Sequence, residues 1–189
     1  MTSNTTLLER LAPSDTGGSR AERGRAWFDS HGLPDPRAEA WRYTPLTEIQ
    51  RALEQATPAP AEHSIADRGV IDELAGDHRG PRLVFVNGVF AAALSDTGSA
   101  EDGLWLGDAE ALRPRRTPGA PAPQDEPVDG FHALNWAAGV DVAAVLAEPE
   151  ARIDTPVHIV HVAAPGDDMS ISHPRTVIRL GSGASLHAI

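Results

Sequence analysis

The pattern of apolar and polar positions predicts that the C-terminal part of the chain, from Arg152 to Ile189, is built from short β-strands. In a strand, side chains alternate between the two faces, so Ile178 and Leu180 lie opposite Arg179 and we expect them to face a core. Three runs rich in β-branched and apolar residues, each bounded by Pro, Gly, Asp or Ser, are typical of strands: Val157–Val162, Thr176–Leu180 and Ala184–Ile189.

The spacing of these runs favours a β-solenoid. The step from His158 to Ile178 is about twenty residues, within the range for one solenoid coil. A coil cannot bury its apolar face without stacked neighbours, and the third run reaches the last residue of the sequence. We therefore expect the chain to be the front part of a larger β-helix protein, or to close the end of its coils against another molecule.

Residues 1–127 predict an N-terminal domain of helical or mixed α/β type, with a hairpin at residues 83–92 and a Pro-rich linker at residues 113–127. In the hairpin, two β-rich arms flank Asn87-Gly88, a pair that tolerates the positive φ angles of a tight primed turn. Residues 128–189 predict the start of an incomplete β-helix. The fold class we expect is α+β, with a helical N-terminal domain followed by the first coils of a right-handed parallel β-helix.

Local signals add several elements to this outline. A short helical turn is predicted at Thr5–Leu11, and a helix from Ser19 to about Ser30 that His31-Gly32 ends. A third helix is predicted after Thr44, with Ser19 and Glu22 forming a capping box for the second helix and Thr44 capping the third. Further predictions are a helical turn at Val70–Leu74, a strand at Gly103–Leu106, a helical turn at Asp108–Leu112, a helix from Phe131 to Val140, and either a strand or a helix at Val142–Ala147.

Composition excludes several classes of function. The net charge is −11 and all sixteen basic residues are Arg, so the acidic surface argues against nucleic-acid binding, and no basic stripe is present to hold a membrane. The chain has no cysteine, which removes disulfides and thiolate metal sites. Neither a signal peptide nor a long apolar run is visible, and we expect a cytoplasmic protein.

Three groups of residues are candidate sites for chemistry. His158, His161 and His173 are potential metal ligands, but His158 and His161 are an odd number apart and should face opposite sides of one strand. Asp167-Asp168 is more typical of a solvated turn than of a cation site. Gly181-Ser182-Gly183 lacks the Lys and the strand-to-helix context of a phosphate loop, which favours a corner turn. We therefore predict no catalytic, cofactor-binding or metal site, and no enzyme.

Trp41 and Tyr43 stand out as two large amphipathic side chains just before the third predicted helix. The interpretation we favour is that they pack this helix on its neighbour. The alternative is a surface that faces a partner.

Five blocks in the chain, in this order, resemble the N-terminal half of the SufD family, a component of the SUF iron–sulfur cluster assembly machinery. They are Glu39-x-Trp41-Arg42-Tyr43-Thr44-Pro45-Leu46, Leu83–Gly88 with Leu94-Ser95 after it, Ala133-Leu134-Asn135, Pro156–Ile159 and His173-Pro174-Arg175. The related SufB family matches less well, because the first two blocks are similar to those of SufD members.

The resemblance implies a helical N-terminal domain, a right-handed parallel β-helix and a C-terminal helical domain. It also implies a SufB-like paralogue and a SufC-like ABC ATPase as partners. The family residues at those interfaces lie in late coils and beyond, so none can be placed on this sequence. Around residues 139–145 this sequence departs from the family, which tends to have an Asp-Gly turn into a strand where this chain is more helix-like. Clusters are normally held by cysteine thiolates, so a chain without cysteine would act as a scaffold.

Two other functions remain open from the residues alone. One is a fragment of a carbohydrate-active β-helix enzyme, which would need acidic residues converging on a groove across several coils. The other is a module that associates with itself through the open C-terminal strand, because an unpaired edge is a template for another chain.

Overall fold

The chain has a mixed α+β fold. The computed structural model describes residues 3–12, 18–59, 68–76, 80–98, 101–108, 126–164 and 169–189. The helices in these residues are α1 Asn4–Leu11, α2 Ser19–His31, α3 Leu46–Gln55, α4 Arg68–Ala75 and α5 Gly130–Ala138. The strands are β1 Thr57–Pro58, β2 Arg82–Val86, β3 Val89–Phe90, β4 Leu104–Gly107, β5 Ala143–Ala147, β6 His158–Val162, β7 Ser170–Ile171 and β8 Thr176–Leu180.

Two compact units are formed from interleaved stretches of the chain. The first contains residues 1–60, 123–140 and 165–173, and the second contains residues 61–122, 141–164 and 174–189. Both units contain residues from either side of position 127, the predicted end of the N-terminal domain. Most of the predicted linker, residues 113–125, lies outside the described residues, as does most of the predicted turn at Asp108–Leu112.

The first unit is a small helical assembly. Its helices α2 and α5 approach so closely that a Cβ atom added to Gly24 would lie 2.6 Å from the Cβ of Trp136 and 2.7 Å from the carbonyl oxygen of Ala133. The strands β1 and β7 form a short parallel pair in the same unit. The apolar core lies between α1, α2, α3 and α5 and includes Leu7, Leu8, Leu11, Phe28, Leu53, Ala133, Leu134 and Ala137.

The second unit contains two three-stranded sheets, with strand orders β3-β2-β6 and β4-β5-β8. In each sheet two strands run parallel, β2 with β6 and β5 with β8, while β3 and β4 pair antiparallel at one edge. Both sheets contribute to one buried cluster made of Leu83, Phe85, Leu104, Ala143, Val145, Ile153 and Val157. A second cluster joins Ile71 of α4 to the opposite face of β2.

For Val142–Ala147 the sequence allowed either a strand or a helix. The structure has a strand there, β5, from Ala143 to Ala147. All five residues of β5 are buried, because β4 and β8 pair with its two edges. Its three alanines weaken the local strand signal, and pairing on both sides overrides that preference. The helix-like character of residues 140–145 was therefore misleading.

The predicted hairpin is confirmed. β2 and β3 pair antiparallel around Asn87 and Gly88, whose φ angles of 52° and 82° are those of a primed turn. The turn is also tied to the rest of the unit, since the Asn87 side chain accepts a hydrogen bond from the backbone N–H of Ala164 at 2.9 Å. The strand predicted at Gly103–Leu106 is present as β4.

Two predicted helix caps are wrong, although the helices themselves form. Ser19 is the first residue of α2 and Gly18 precedes it without a side-chain cap, so the capping box with Glu22 is absent. The helix α3 begins at Leu46, one residue later than a Thr44 cap requires, and Pro45 occupies the cap position. The predicted end of α2 is confirmed at Gly32, which has a φ of 68°.

Candidate functional site

Several segments of the second unit pair in parallel, and the number of residues between the paired positions is nearly the same in each case. Ala143 in β5 pairs with Thr176 in β8, and Arg152 pairs with Ser185 at an identical separation in the sequence. The bridge between Val157 and Ala188 has a slightly shorter separation. The shared separation is therefore roughly thirty residues, and it recurs on successive stretches of the second unit.

The shorter step predicted from His158 to Ile178 is wrong. The strand containing His158, β6, pairs with β2, and the strand containing Ile178, β8, pairs with β5. The stretch of chain between β5 and β8 includes residues 165–173, which belong to the first unit. There Ser170 and Ile171 form β7 against β1 before the chain returns to the second unit.

The strand β8 is the outermost strand of its sheet in the part of the chain that the structure describes. Ile178 pairs with Val145, so both side chains point to the same side of the sheet. Val145 is fully buried, whereas Ile178 is 46% exposed and Leu180 is 47% exposed. The predicted side is therefore correct for Ile178, but the predicted burial of Ile178 and Leu180 is wrong, because nearly half of each residue's surface stays exposed.

The other face of β8 also differs from the prediction. Arg179 pairs with Leu146, which is 4% exposed and lies on the face of β5 opposite Val145. Arg179 itself is half-buried. The prediction that Arg179 marks a solvent-exposed face of β8 is therefore wrong, because this face is partly covered.

The third predicted run, Ala184–Ile189, forms isolated bridges at Ser185 and Ala188 in place of a continuous strand. The segment opposite contains Pro156, which has no backbone N–H to donate. At its end, the Ile189 N–H donates to the carbonyl of Val157 at 2.9 Å, and the Ile189 carbonyl accepts from Ile159 at 2.9 Å. Ile189 is 57% exposed, so the last described residues also present apolar surface.

The histidines of β6 lie on opposite sides of the strand, as predicted. His158 pairs with Arg82, and His161 pairs with Phe85 of the shared apolar cluster, three positions along the same register. The His161 Nε2 atom lies 3.0 Å from the hydroxyl oxygen of Thr176, and burial lowers the pKa of His161 below its ordinary value.

His173 belongs to the first unit. Its Nε2 atom is buried and has no hydrogen-bond partner among the described residues. Burial lowers the pKa of His173 to about 4, because the surroundings disfavour a charged imidazolium. The imidazole of His173 is therefore neutral at physiological pH.

The Gly-rich segment after β8 is a turn, as the sequence indicated. The Ala184 N–H donates to the Gly181 carbonyl, and the Gly181 N–H donates to the carbonyl of Ala147 at 2.8 Å. A Cβ atom added to Gly181 would lie 2.4 Å from the backbone nitrogen of Pro149. The segment is thus shaped by close contact with the preceding turn of the chain. Asp167 and Asp168 lie outside the described residues.

Of the two aromatic residues before α3, only one packs as expected. Trp41 contacts the ring of Phe131 with centroids 5.4 Å apart, whereas Tyr43 is 92% exposed. The packing interpretation is therefore confirmed for Trp41 and wrong for Tyr43. Tyr43 follows a 3₁₀ turn at Glu39–Trp41 and points away from the core of the first unit. For Tyr43 the alternative interpretation, a surface that faces a partner, therefore stays a prediction.

Two polar contacts of the second unit were not anticipated from the sequence. The Glu101 carboxylate accepts hydrogen bonds from the backbone N–H groups of Asp154 and Thr155. A hydrogen bond from the Thr155 side chain, together with these two backbone bonds, lowers the pKa of Glu101 below its ordinary value. Arg82 donates to the Asp72 carboxylate at 2.6 Å with its own side chain nearly buried. Both contacts join residues at least ten positions apart, so local sequence patterns carry no signal for them.

Within the described residues, no three His, Asp or Glu side chains are grouped so as to hold a metal ion. None of the helices described is both long and apolar enough to cross a bilayer. Neither a protein family model nor a curated protein sequence matches the chain. The arrangement of the second unit, with its repeated parallel pairing and its exposed apolar strand β8, is therefore the feature from which a function can be argued.

Proposed function

We propose that the chain is a non-enzymatic scaffold component of an iron–sulfur cluster assembly complex of the SUF type, and that its second unit contains the first coils of a right-handed parallel β-helix. The observation that supports the β-helix is the equal step that joins Ala143 to Thr176 and Arg152 to Ser185 in parallel. A solenoid repeat of about 20–45 residues has this pairing pattern.

The resemblance to SufD proteins supplies the biological part of the proposal. Its five blocks fall on ordered features of the fold: the segment before α3, the β2 hairpin turn, α5, the start of β6, and the three residues before β8. The absence of cysteine from the whole sequence fits a scaffold that holds no cluster through thiolates.

Co-purification tests the assembly role. An affinity-tagged chain would be co-expressed with a SufB-like and a SufC-like protein, beside a full-length SufD-family protein as the positive control. We expect the SufB-like protein to be retained by the chain at a stoichiometry near one to one. Retention by the full-length relative alone would show that this chain is not a working subunit by itself, and the proposal would fail.

Two matched variants locate the contact in that assay. Ile178→Asp places a carboxylate on the exposed side of β8, and Tyr43→Asp does the same at an exposed aromatic residue of the first unit. Loss of the partner with Ile178→Asp alone assigns the contact to the second unit, whereas loss with Tyr43→Asp alone assigns it to the aromatic residue before α3.

Self-association through the C-terminal segment is the second candidate function. It is favoured by the apolar surface at Ile178, Leu180 and Ile189 and by the position of β8 at the edge of its sheet. Sedimentation equilibrium would give the mass of a dimer for the chain and the mass of a monomer for Ile178→Asp. A strict monomer for the unmodified chain at high micromolar concentration would exclude this function.

A further inference from the structure

We draw no further inference here: the strongest candidate, the outer edge of β8 with the half-exposed side chains of Ile178 and Leu180, belongs to the surface already described, and nothing in the structure shows what covers it.

Discussion

The strands β5 and β8 lie side by side in register, yet their environments differ. Every residue of β5 is buried, whereas three of the five residues of β8 are exposed. Both strands are rich in apolar residues, and paired positions direct their side chains to the same side of the sheet. The difference is the number of neighbours, because β5 is paired on both edges and β8 on one.

Burial in this sheet depends on whether a strand lies at its centre or at its edge. Val145 and Ile178 have similar chemistry and point to the same side, but Val145 is fully buried and Ile178 is 46% exposed. The free energy gained by burying an apolar side chain scales with the area removed from water. That gain is therefore larger at Val145, in the strand with a neighbour on each edge, than at Ile178. Substitutions at the two positions should accordingly differ in cost.

The largest expected effect is that of a charge on the covered strand. Val145→Asp would bury a carboxylate without a partner and should lower the free energy of unfolding by roughly 3–5 kcal/mol or prevent folding. Ile178→Asp is the matched control, with an expected loss below about 1 kcal/mol because water reaches the side chain. Urea unfolding followed by circular dichroism would measure both. Equal losses would contradict the difference in burial between β5 and β8.

The turn that follows β8 gives the next effect. Gly181→Ala forces a methyl group against the backbone of Pro149 and should cost about 1–3 kcal/mol through overpacking. Ser182→Ala, at the exposed neighbouring position, should stay within about 0.5 kcal/mol. The same urea measurement applies. A neutral Gly181→Ala would mean that the two turns do not lie against each other.

Acid should lower the stability of the protein through two histidines whose pKa values are lowered, His173 and His161. Because the folded pKa of His173 is about 4 and an unfolded histidine titrates near 6.5, the stabilising effect is complete above about pH 6.5 and declines as the pH falls toward 4. Allowing for partial solvent screening, the loss is about 1–2 kcal/mol. His161 has a lowered pKa of the same sign.

Thermal unfolding between pH 4 and pH 8 would measure this dependence in the protein and in two variants. His173→Phe should flatten the pH profile more than His161→Phe, because His161 lies beside the uncovered strand and remains partly accessible to water. If His161→Phe reduced the pH dependence of stability more than His173→Phe, the side chain of His161 would be less accessible to water than this structure shows.

The smallest expected effect concerns the hydrogen bond between His161 and Thr176. Thr176→Val keeps the shape of the side chain and removes the hydroxyl, and it should cost about 0.5 kcal/mol, the low end for a hydrogen bond at a site open to water. Ser185→Ala, an exposed position in the bridged segment that follows, is the control. A loss above about 1.5 kcal/mol, the upper end of the usual range, would place this hydrogen bond in a buried environment.

Local chemistry made part of the fold predictable. The turn at Asn87-Gly88, the end of α2 at Gly32 and the strand at Thr176–Leu180 all follow from residues within a few positions of each other. The opposite orientations of His158 and His161 follow from strand alternation alone.

Long-range pairing accounts for what the sequence could not supply. The strand β8 pairs with β5, and the chain between them includes residues 165–173 of the first unit. The residues around Ile178 give no indication of which strand β8 pairs with. The same holds for Tyr43, where the neighbouring Trp41 packs on Phe131 and Tyr43 does not pack. Burial at these positions is decided by residues far away in the sequence.

The register of β5 and β8 is the central claim, and nuclear Overhauser effects between backbone protons of the two strands test it most directly. We expect contacts that join Val145 to Ile178 in parallel, and Arg152 to Ser185 at the same separation along the chain. Contacts that place Ile178 beside His158, or an antiparallel pattern between β5 and β8, would contradict it and would remove the structural support for stacked coils.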